Sequence, residues 1–185
     1  ECKNMGIALL PPDINESNDH FTVVPNGIRF GLAAIKNIGR GFIQKVMQER
    51  TDGGPFTDLE NFCSRMYGTD LNKRALENLI KCGACDCFGL KRSQLLNIYD
   101  AVLESVAVSR RKNVDGQMGL FGMLDGTDEP VSSVHVPDLP ELSARERMAM
   151  ERETTGLYLS GHPMDGYQKQ LQAAHAVPIG RIMQS

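Results

Sequence analysis

The chain has 185 residues, of which 41% are hydrophobic and 23% charged, and its formal net charge is −3. That balance suits one ordinary globular domain or two small ones and excludes a disordered chain. The longest charge-free runs, such as Thr154–Met164, are 11 residues. They are too short to span a bilayer, and nothing near Glu1 resembles a signal peptide, so no membrane is expected as a partner. Only 6% of the residues are aromatic, with no Trp, so an aliphatic core is expected. The sequence opens on Glu1 rather than Met, with Cys2 to Leu10 already reading as packed structure, and so is expected to be a piece of something longer.

Five cysteines (Cys2, Cys63, Cys82, Cys85 and Cys87) are an odd number. This argues against a disulfide scaffold and for a reducing, cytosolic compartment. Cys82, Cys85 and Cys87 bring three sulfurs close in sequence, but a zinc site needs a fourth ligand and the nearest histidines are His20 and His135. Small half-buried residues in a tight turn are the better reading, with neither metal nor cofactor expected. Charge is unevenly spread: −3 over residues 1–27, +5 over 28–112 and −5 over 113–185. An anionic partner would sit on the middle segment.

In chain order, residues 1–30 read as extended. Leu10-Pro11-Pro12-Asp13 cannot be helix interior, and Phe21-Thr22-Val23-Val24 and Ile28-Arg29-Phe30 flank Pro25-Asn26-Gly27 as a short β-hairpin. From Gly31 the period becomes helical: Leu32, Ile35 and Ile38 precede Gly39-Arg40-Gly41, and Phe42, Ile43, Val46 and Met47 follow until Thr51-Asp52-Gly53-Gly54-Pro55. Thr57 is expected to cap a third helix carrying Leu59, Phe62 and Cys63. Asn72 is expected to cap a fourth with Leu76, Leu79 and Ile80, broken at Cys82-Gly83-Ala84. A longer helix then runs from Ser93 to about Arg111. The two helix–break–helix copies, offset by about 45 residues, read as a weak internal duplication over 31–112.

Residues 113–140 contain four glycines, three prolines and no Lys or Arg, the composition of a flexible linker. Ser143-Ala144-Arg145-Glu146 is a capping box opening a helix closed by Gly156. A last short helix is expected near Asp165–Ala174 within a C-terminal helical segment, 141–176. Val177-Pro178-Ile179 looks like the approach to a strand that belongs to a further domain, beginning in 177–185.

The first break has the chemistry of a helix-hairpin-helix. Successive amides at the start of the second helix can hold a phosphate oxygen without reading a base. Ile38 would anchor the hairpin inward, Gly39 would allow a positive φ and close approach, and Lys36, Arg40 and Lys45 would add charge beside Gly41. Asn37 stands where such hairpins usually carry Gly, and is the next-best residue for the left-handed region. An αα-corner with a Gly cap is the plainer alternative. In the second break Lys81, Gly83 and Ala84 could also face a phosphate. There is a single Gly, however, and Asp86 would repel one, so completing a compact pair is its main expected job. Lys73, Arg74, Lys91 and Arg92 add positive surface around it.

Inside the linker, Gln117, Met118, Gly119, Leu120 and Phe121 form an apolar island that reads as a peptide seeking a pocket, or else one that folds back on its own domain. No catalytic site is visible. Asp58 and Glu60, like Glu151 and Glu153, lie two apart on a helix and diverge. His162 sits in a Gly-His-Pro turn suited to a backbone hydrogen bond, and no nucleotide-binding fingerprint occurs.

Several blocks together resemble the alpha subunits of bacterial DNA polymerase III, of DnaE type. They are Glu1-Cys2-Lys3 to Leu10-Pro11-Pro12-Asp13-Ile14-Asn15, Phe30-Gly31-Leu32-Ala33-Ala34-Ile35-Lys36, Gly54-Pro55-Phe56 with Asp58-Leu59 and Phe62-Cys63, Asn72-Lys73-Arg74-Ala75-Leu76 through Gly83-Ala84, and Gly156-Leu157-Tyr158-Leu159-Ser160-Gly161-His162-Pro163. The resemblance implies that 1–30 end a fingers region and that 31–112 are tandem helix-hairpin-helix motifs gripping duplex DNA independently of sequence. It implies that Gln117–Phe121 bind the sliding clamp, and that the chain stops short of an OB-type domain. The catalytic aspartates of the family lie upstream, so a non-catalytic segment is expected, mainly α, partnered by double-stranded DNA, the clamp and the rest of the polymerase in the bacterial cytoplasm. Two rivals stay open: an interaction scaffold without DNA contact, and a helix-hairpin-helix base-excision enzyme.

Overall fold

A computed structural model of the chain describes Cys2, residues 5–114 and residues 134–174. Three short strands come first: Leu9–Leu10 (β1), Thr22–Val24 (β2) and Gly27–Arg29 (β3), in the order β1-β3-β2. The expected hairpin forms through the two-residue connection Pro25-Asn26, with Val24 opposite Gly27 and Val23 opposite Ile28. The parallel strand β1, Leu9 opposite Ile28, was not anticipated, since two residues carry no readable period. Gly27 makes it possible. Its φ is 146°, and a Cβ there would overlap the Ala8 carbonyl oxygen.

The helix expected from Gly31 is only one 3-10 turn, Leu32–Ala34, after which Ile35 is extended. The cause is where the backbone donors go. Leu32 N–H bonds the Asn18 carbonyl, Ala33 N–H bonds that of Asp19, and Lys36 N–H bonds that of Thr154, 118 positions away, at 2.9 Å in the first two cases and the third alike. With its amides committed to distant acceptors, the first arm cannot propagate a helical ladder.

The remaining helices follow the apolar spacing. Arg40–Gly53 (α1) buries Phe42, Ile43 and Val46, and runs through Thr51–Gly53 to the left-handed φ of Gly54. Leu59–Arg65 (α2) is capped by Asp58, which accepts from Asn61 N–H at 2.8 Å. Thr57, the expected cap, instead donates its hydroxyl to Asp58; a carboxylate also suits the helix dipole better than a hydroxyl. Lys73–Lys81 (α3) is capped by Asn72 as expected, and Arg92–Val114 (α4) follows. Ala144–Thr155 (α5) has the complete Ser143/Glu146 capping box and a left-handed Gly156. A 3-10 turn at Asp165–Tyr167 leads into Gln168–Ala173 (α6). The architecture is mainly α with a short N-terminal β-hairpin, as expected.

One core unites α1 to α4, around Phe42, Phe62, Leu76, Leu79, Ile80 and Leu95. Val134, Val136 and Leu159 pack against that same core, so the chain returns to it after the linker. The linker expected over 113–140 is therefore packed in its last part. The island Gln117–Phe121 and the strand approach Val177–Ile179 lie outside the described residues.

Two glycines make a test. Gly89 has a φ of 75° in open space, so Gly89→Ala should cost only the left-handed penalty, about 1 kcal/mol. Gly27→Ala must also push β1 away and should cost about 3 kcal/mol. Urea denaturation midpoints should separate the two; equal losses would mean β1 yields freely.

Candidate nucleic-acid interface

The first hairpin turns on Asn37, whose φ of 63° is the one positive value at a non-glycine among the described residues. The left-handed seat expected there is occupied. Gly39 corrects another expectation: its φ is −79° and its ψ 148°, so it is an extended N-cap to α1 and uses no positive φ. Its value is the missing side chain. The cap residue has no side-chain oxygen to offer, and the first ladder bond is Ile43 N–H to the Gly39 carbonyl at 3.1 Å. The amides of Arg40, Gly41 and Phe42 precede that bond, and a Cβ on Gly39 would meet nothing within 4 Å. Arg40, Gly41 and Lys45 are exposed, and among the described residues Arg40 and Lys45 join no ion pair. Ile38 is half-buried against the core, inward as expected. A carboxylate oxygen of Asp70 lies 3.9 Å from where a Cβ on Gly41 would stand, so an anion already neighbours this terminus.

Lys36 is less free than expected. Its Nζ donates to the Glu153 carbonyl at 2.7 Å, its N–H donates to the Thr154 carbonyl at 2.9 Å, and its own carbonyl accepts from Asn78 Nδ2 at 2.7 Å. A small polar cavity of about 290 Å³ adjoins these groups, lined also by Arg74 and Lys81.

The second break is closed. Gly83 has the expected left-handed role, φ 89°, but its N–H bonds the Ile80 carbonyl at 3.0 Å and Ala84 N–H bonds that of Leu79 at 2.9 Å. Both residues are buried. A Cβ on Gly83 would strike the guanidinium of Arg92. Lys81 pairs with Glu77 at 3.0 Å and Glu153 at 3.6 Å; the hydrogen bond it donates to Glu77 outweighs burial and holds the Lys81 pKa above its ordinary value. The start of α4 is also taken, because Glu141 accepts from Arg92 N–H at 3.2 Å and from Ser93 N–H at 3.4 Å. Gly83, Ala84 and Lys81 therefore have their donors committed internally, which corrects their expected availability to a phosphate.

Arg92 ties this region together. It is 4% exposed, with Nε and Nη2 on Asp86 at 2.9 and 2.8 Å and Nη1 on Glu151 at 2.9 Å. Glu151, fully buried, also accepts from Leu159 N–H, Ser160 N–H and Ser160 Oγ. Burial opposes the Arg92 charge, and its two carboxylate partners more than reverse this, raising its pKa. Asp86, expected to repel phosphate, is thus neutralised within the fold. Sequence reasoning missed Arg92, Glu141, Glu151 and Asn78 as partners. The available signal was α5 itself, ARERMAMERETT, whose polar sequence cannot dock by an apolar stripe alone.

Burial pushes the Cys63, Cys82 and Cys87 thiols up to about 12, and Cys85 well above its ordinary value. Among the described residues no group of three or more His, Cys, Asp or Glu is arranged to hold a metal ion. Glu151 and Glu153 diverge as expected, one buried and one exposed, and His162 Nδ1 accepts from Met164 N–H at 3.2 Å.

An uncapped helix start behind a left-handed turn, packed beside a second helix–break–helix, defines the class. The family model described as a helix-hairpin-helix motif matches residues 6–95. Over nearly its whole length the chain is similar to one segment of proteins named DNA polymerase III subunit alpha. It is 39% identical to DNA polymerase III subunit alpha of Mycobacterium tuberculosis over 186 residues, covering 99% of this chain and 16% of that protein. It is 41% identical to that of Vibrio cholerae over 172 residues, covering 92% and 15%. The Deinococcus radiodurans protein is 39% identical over 178 residues, covering 94% and 13%. The chain thus spans about one-sixth of the length of these relatives.

Two predictions follow from the Arg92 network. Glu151→Ala leaves the buried Arg92 with Asp86 alone and takes the acceptor from the Leu159 and Ser160 amides, and should cost about 3 kcal/mol in urea denaturation. Glu141 is burdened by burial, but amide hydrogen bonds from Leu142, Arg92 and Ser93 hold its pKa below its ordinary 4.5. Its stabilisation is therefore present above that value and lost as pH falls through the depressed one. The stability gap between wild type and Glu141→Gln should shrink as pH falls from roughly 5 to 3, and a constant gap would contradict this.

Proposed function

We propose that this chain is a non-catalytic, duplex-DNA-binding segment of a bacterial replicative polymerase, acting to keep the enzyme on its primer-template. The observation that carries the proposal is the start of α1: three amides ahead of the helical ladder, an N-cap without a side chain, and exposed Arg40 and Lys45 beside it. Asn37, Ile38, Gly39, Arg40 and Gly41 would cradle one phosphate oxygen through backbone N–H groups, with Lys45 a turn later. Such contacts read no base, so binding is sequence-independent and steeply weakened by salt. Lys36 supports the hairpin from behind. The second hairpin, whose donors are internally satisfied, contributes packing.

The proposal includes the sliding clamp as a second partner, supported by the sequence Gln117-Met118-Gly119-Leu120-Phe121, and the remainder of a polymerase chain as a third. A cytoplasmic location agrees with five free cysteines and bacterial relatives. Among the described residues no helix is long and apolar enough to cross a membrane.

Fluorescence anisotropy with a short duplex, titrated across salt concentrations, tests the DNA contact. Arg40→Glu should weaken binding about tenfold and lower the salt slope by about one. Gly39→Ala should weaken it by crowding the amides, and Asp70→Asn should strengthen it by removing a competing anion. Unchanged affinity in all three would exclude the hairpin. For the clamp, calorimetric titration with a bacterial sliding clamp should show binding by the wild type and none by the Leu120→Ala/Phe121→Ala double variant.

A further inference from the structure

We infer that Asn78 is a positioning residue for DNA binding, its buried amide and the Thr154 carbonyl fixing two successive peptide planes at Lys36 and thereby aiming the uncapped start of α1. The inference rests on the DNA-binding function proposed above.

Asn78 lies in α3, on the second helix–break–helix, yet its side chain serves the first. It is only 7% exposed and lines the small polar cavity beside Lys36, Asn37, Arg74 and Lys81, so its amide needs a partner. Its Nδ2 donates to the Lys36 carbonyl at 2.7 Å, across 42 positions of sequence. That carbonyl belongs to the Lys36–Asn37 peptide, so the bond fixes the plane from which Asn37 departs at φ 63°. The preceding plane, Ile35–Lys36, is fixed by the N–H bond to Thr154 at the end of α5. Lys36 Nζ adds a third tie to α5 through the Glu153 carbonyl. Two elements far apart in sequence, α3 and α5, therefore converge on one residue, three positions before the Gly39 cap.

The helix itself does not need this support. Phe42, Ile43 and Val46 are buried in the core and hold α1 in place. What Asn78 and α5 add is the direction of the turn entering it, and hence the geometry of the first free amides. Amides held in place before a ligand arrives bind it without an ordering cost. A left-handed Asn is a conformation that its surroundings must maintain, and the bond from Asn78 supplies that restraint.

The test is duplex binding by the whole 185-residue chain, measured by anisotropy over a range of salt concentrations and normalised to the folded fraction. Asn78→Ala and the near-isosteric, uncharged Asn78→Leu, which keeps the volume but loses the donor, should each weaken binding about five- to tenfold and make the salt slope shallower by about one phosphate contact. Thr154→Ala is the control. It removes a buried hydroxyl bonded to Met150 but leaves the Thr154 carbonyl, so it should lower thermal stability without changing the slope. If both Asn78 variants keep the wild-type affinity and slope, the inference fails while DNA binding stands. If they lose affinity with an unchanged slope, as general destabilisation would produce, it also fails. A wild type that does not bind duplex at low salt removes the proposed function and this inference together.

Discussion

Arg92 is the constraint on which the rest of the arrangement depends. A guanidinium only 4% exposed is intolerable without partners, and it has two carboxylates, Asp86 from its own break and Glu151 from α5. Glu151 in turn is fully buried and collects the amides of Leu159 and Ser160. One bonded chain of groups thus links the second break, α4, α5 and the turn after it. Removing Arg92 leaves Glu151 buried without a cation, and removing either carboxylate leaves Arg92 only partly satisfied, which is costlier than never having built the network. The pair is accordingly better regarded as fixing one arrangement than as adding net stability.

That anchor explains why the two breaks, similar in sequence pattern, have different fates. At the second, Arg92 fills the space beside Gly83, Glu141 takes the first amides of α4, and Gly83 and Ala84 close the end of α3. At the first, the cap is a bare glycine, and nothing comparable arrives from the described part of the tail. The tail meets the first hairpin from behind, through Thr154 and Glu153 on Lys36, and leaves the front of α1 open. A structural hairpin and an open one stand side by side in one core.

The charge pattern acquires its meaning in the same way. The middle segment carries +5 and the segment after it −5, and part of this opposition is satisfied within the fold. Glu151 sits on Arg92, Glu153 on Lys81 and Asp138 on Lys91. Among the described residues the positive surface inferred from composition therefore narrows to exposed cations in no ion pair, Arg40, Lys45 and Arg74 near the first hairpin among them. A polyanion approaching this face meets few cations, so backbone amides must carry much of any contact.

The sequence by itself determined the elements whose signals are local. The alternation around Pro25-Asn26 produced the hairpin, the three- and four-residue apolar spacing produced α1 to α4, and Ser143 with Glu146 and Gly156 bounded α5. Asn37 was legible as a left-handed residue because few side chains tolerate that region, and the ordered motif blocks pointed to the DNA polymerase III alpha subunits that the relatives then supplied. Tertiary structure alone decided the rest. The first arm shrank to a 3-10 turn because its amides bond Asn18, Asp19 and Thr154. The second hairpin closed because Arg92 and Glu141 reach it, and Asn78 came to support Lys36 across the core. The first arm's amides, Glu141 at the start of α4 and Asn78 on Lys36 all bond partners more than ten positions away, and hydrogen bonds over such distances leave no period, cap or spacing in the sequence from which to read them.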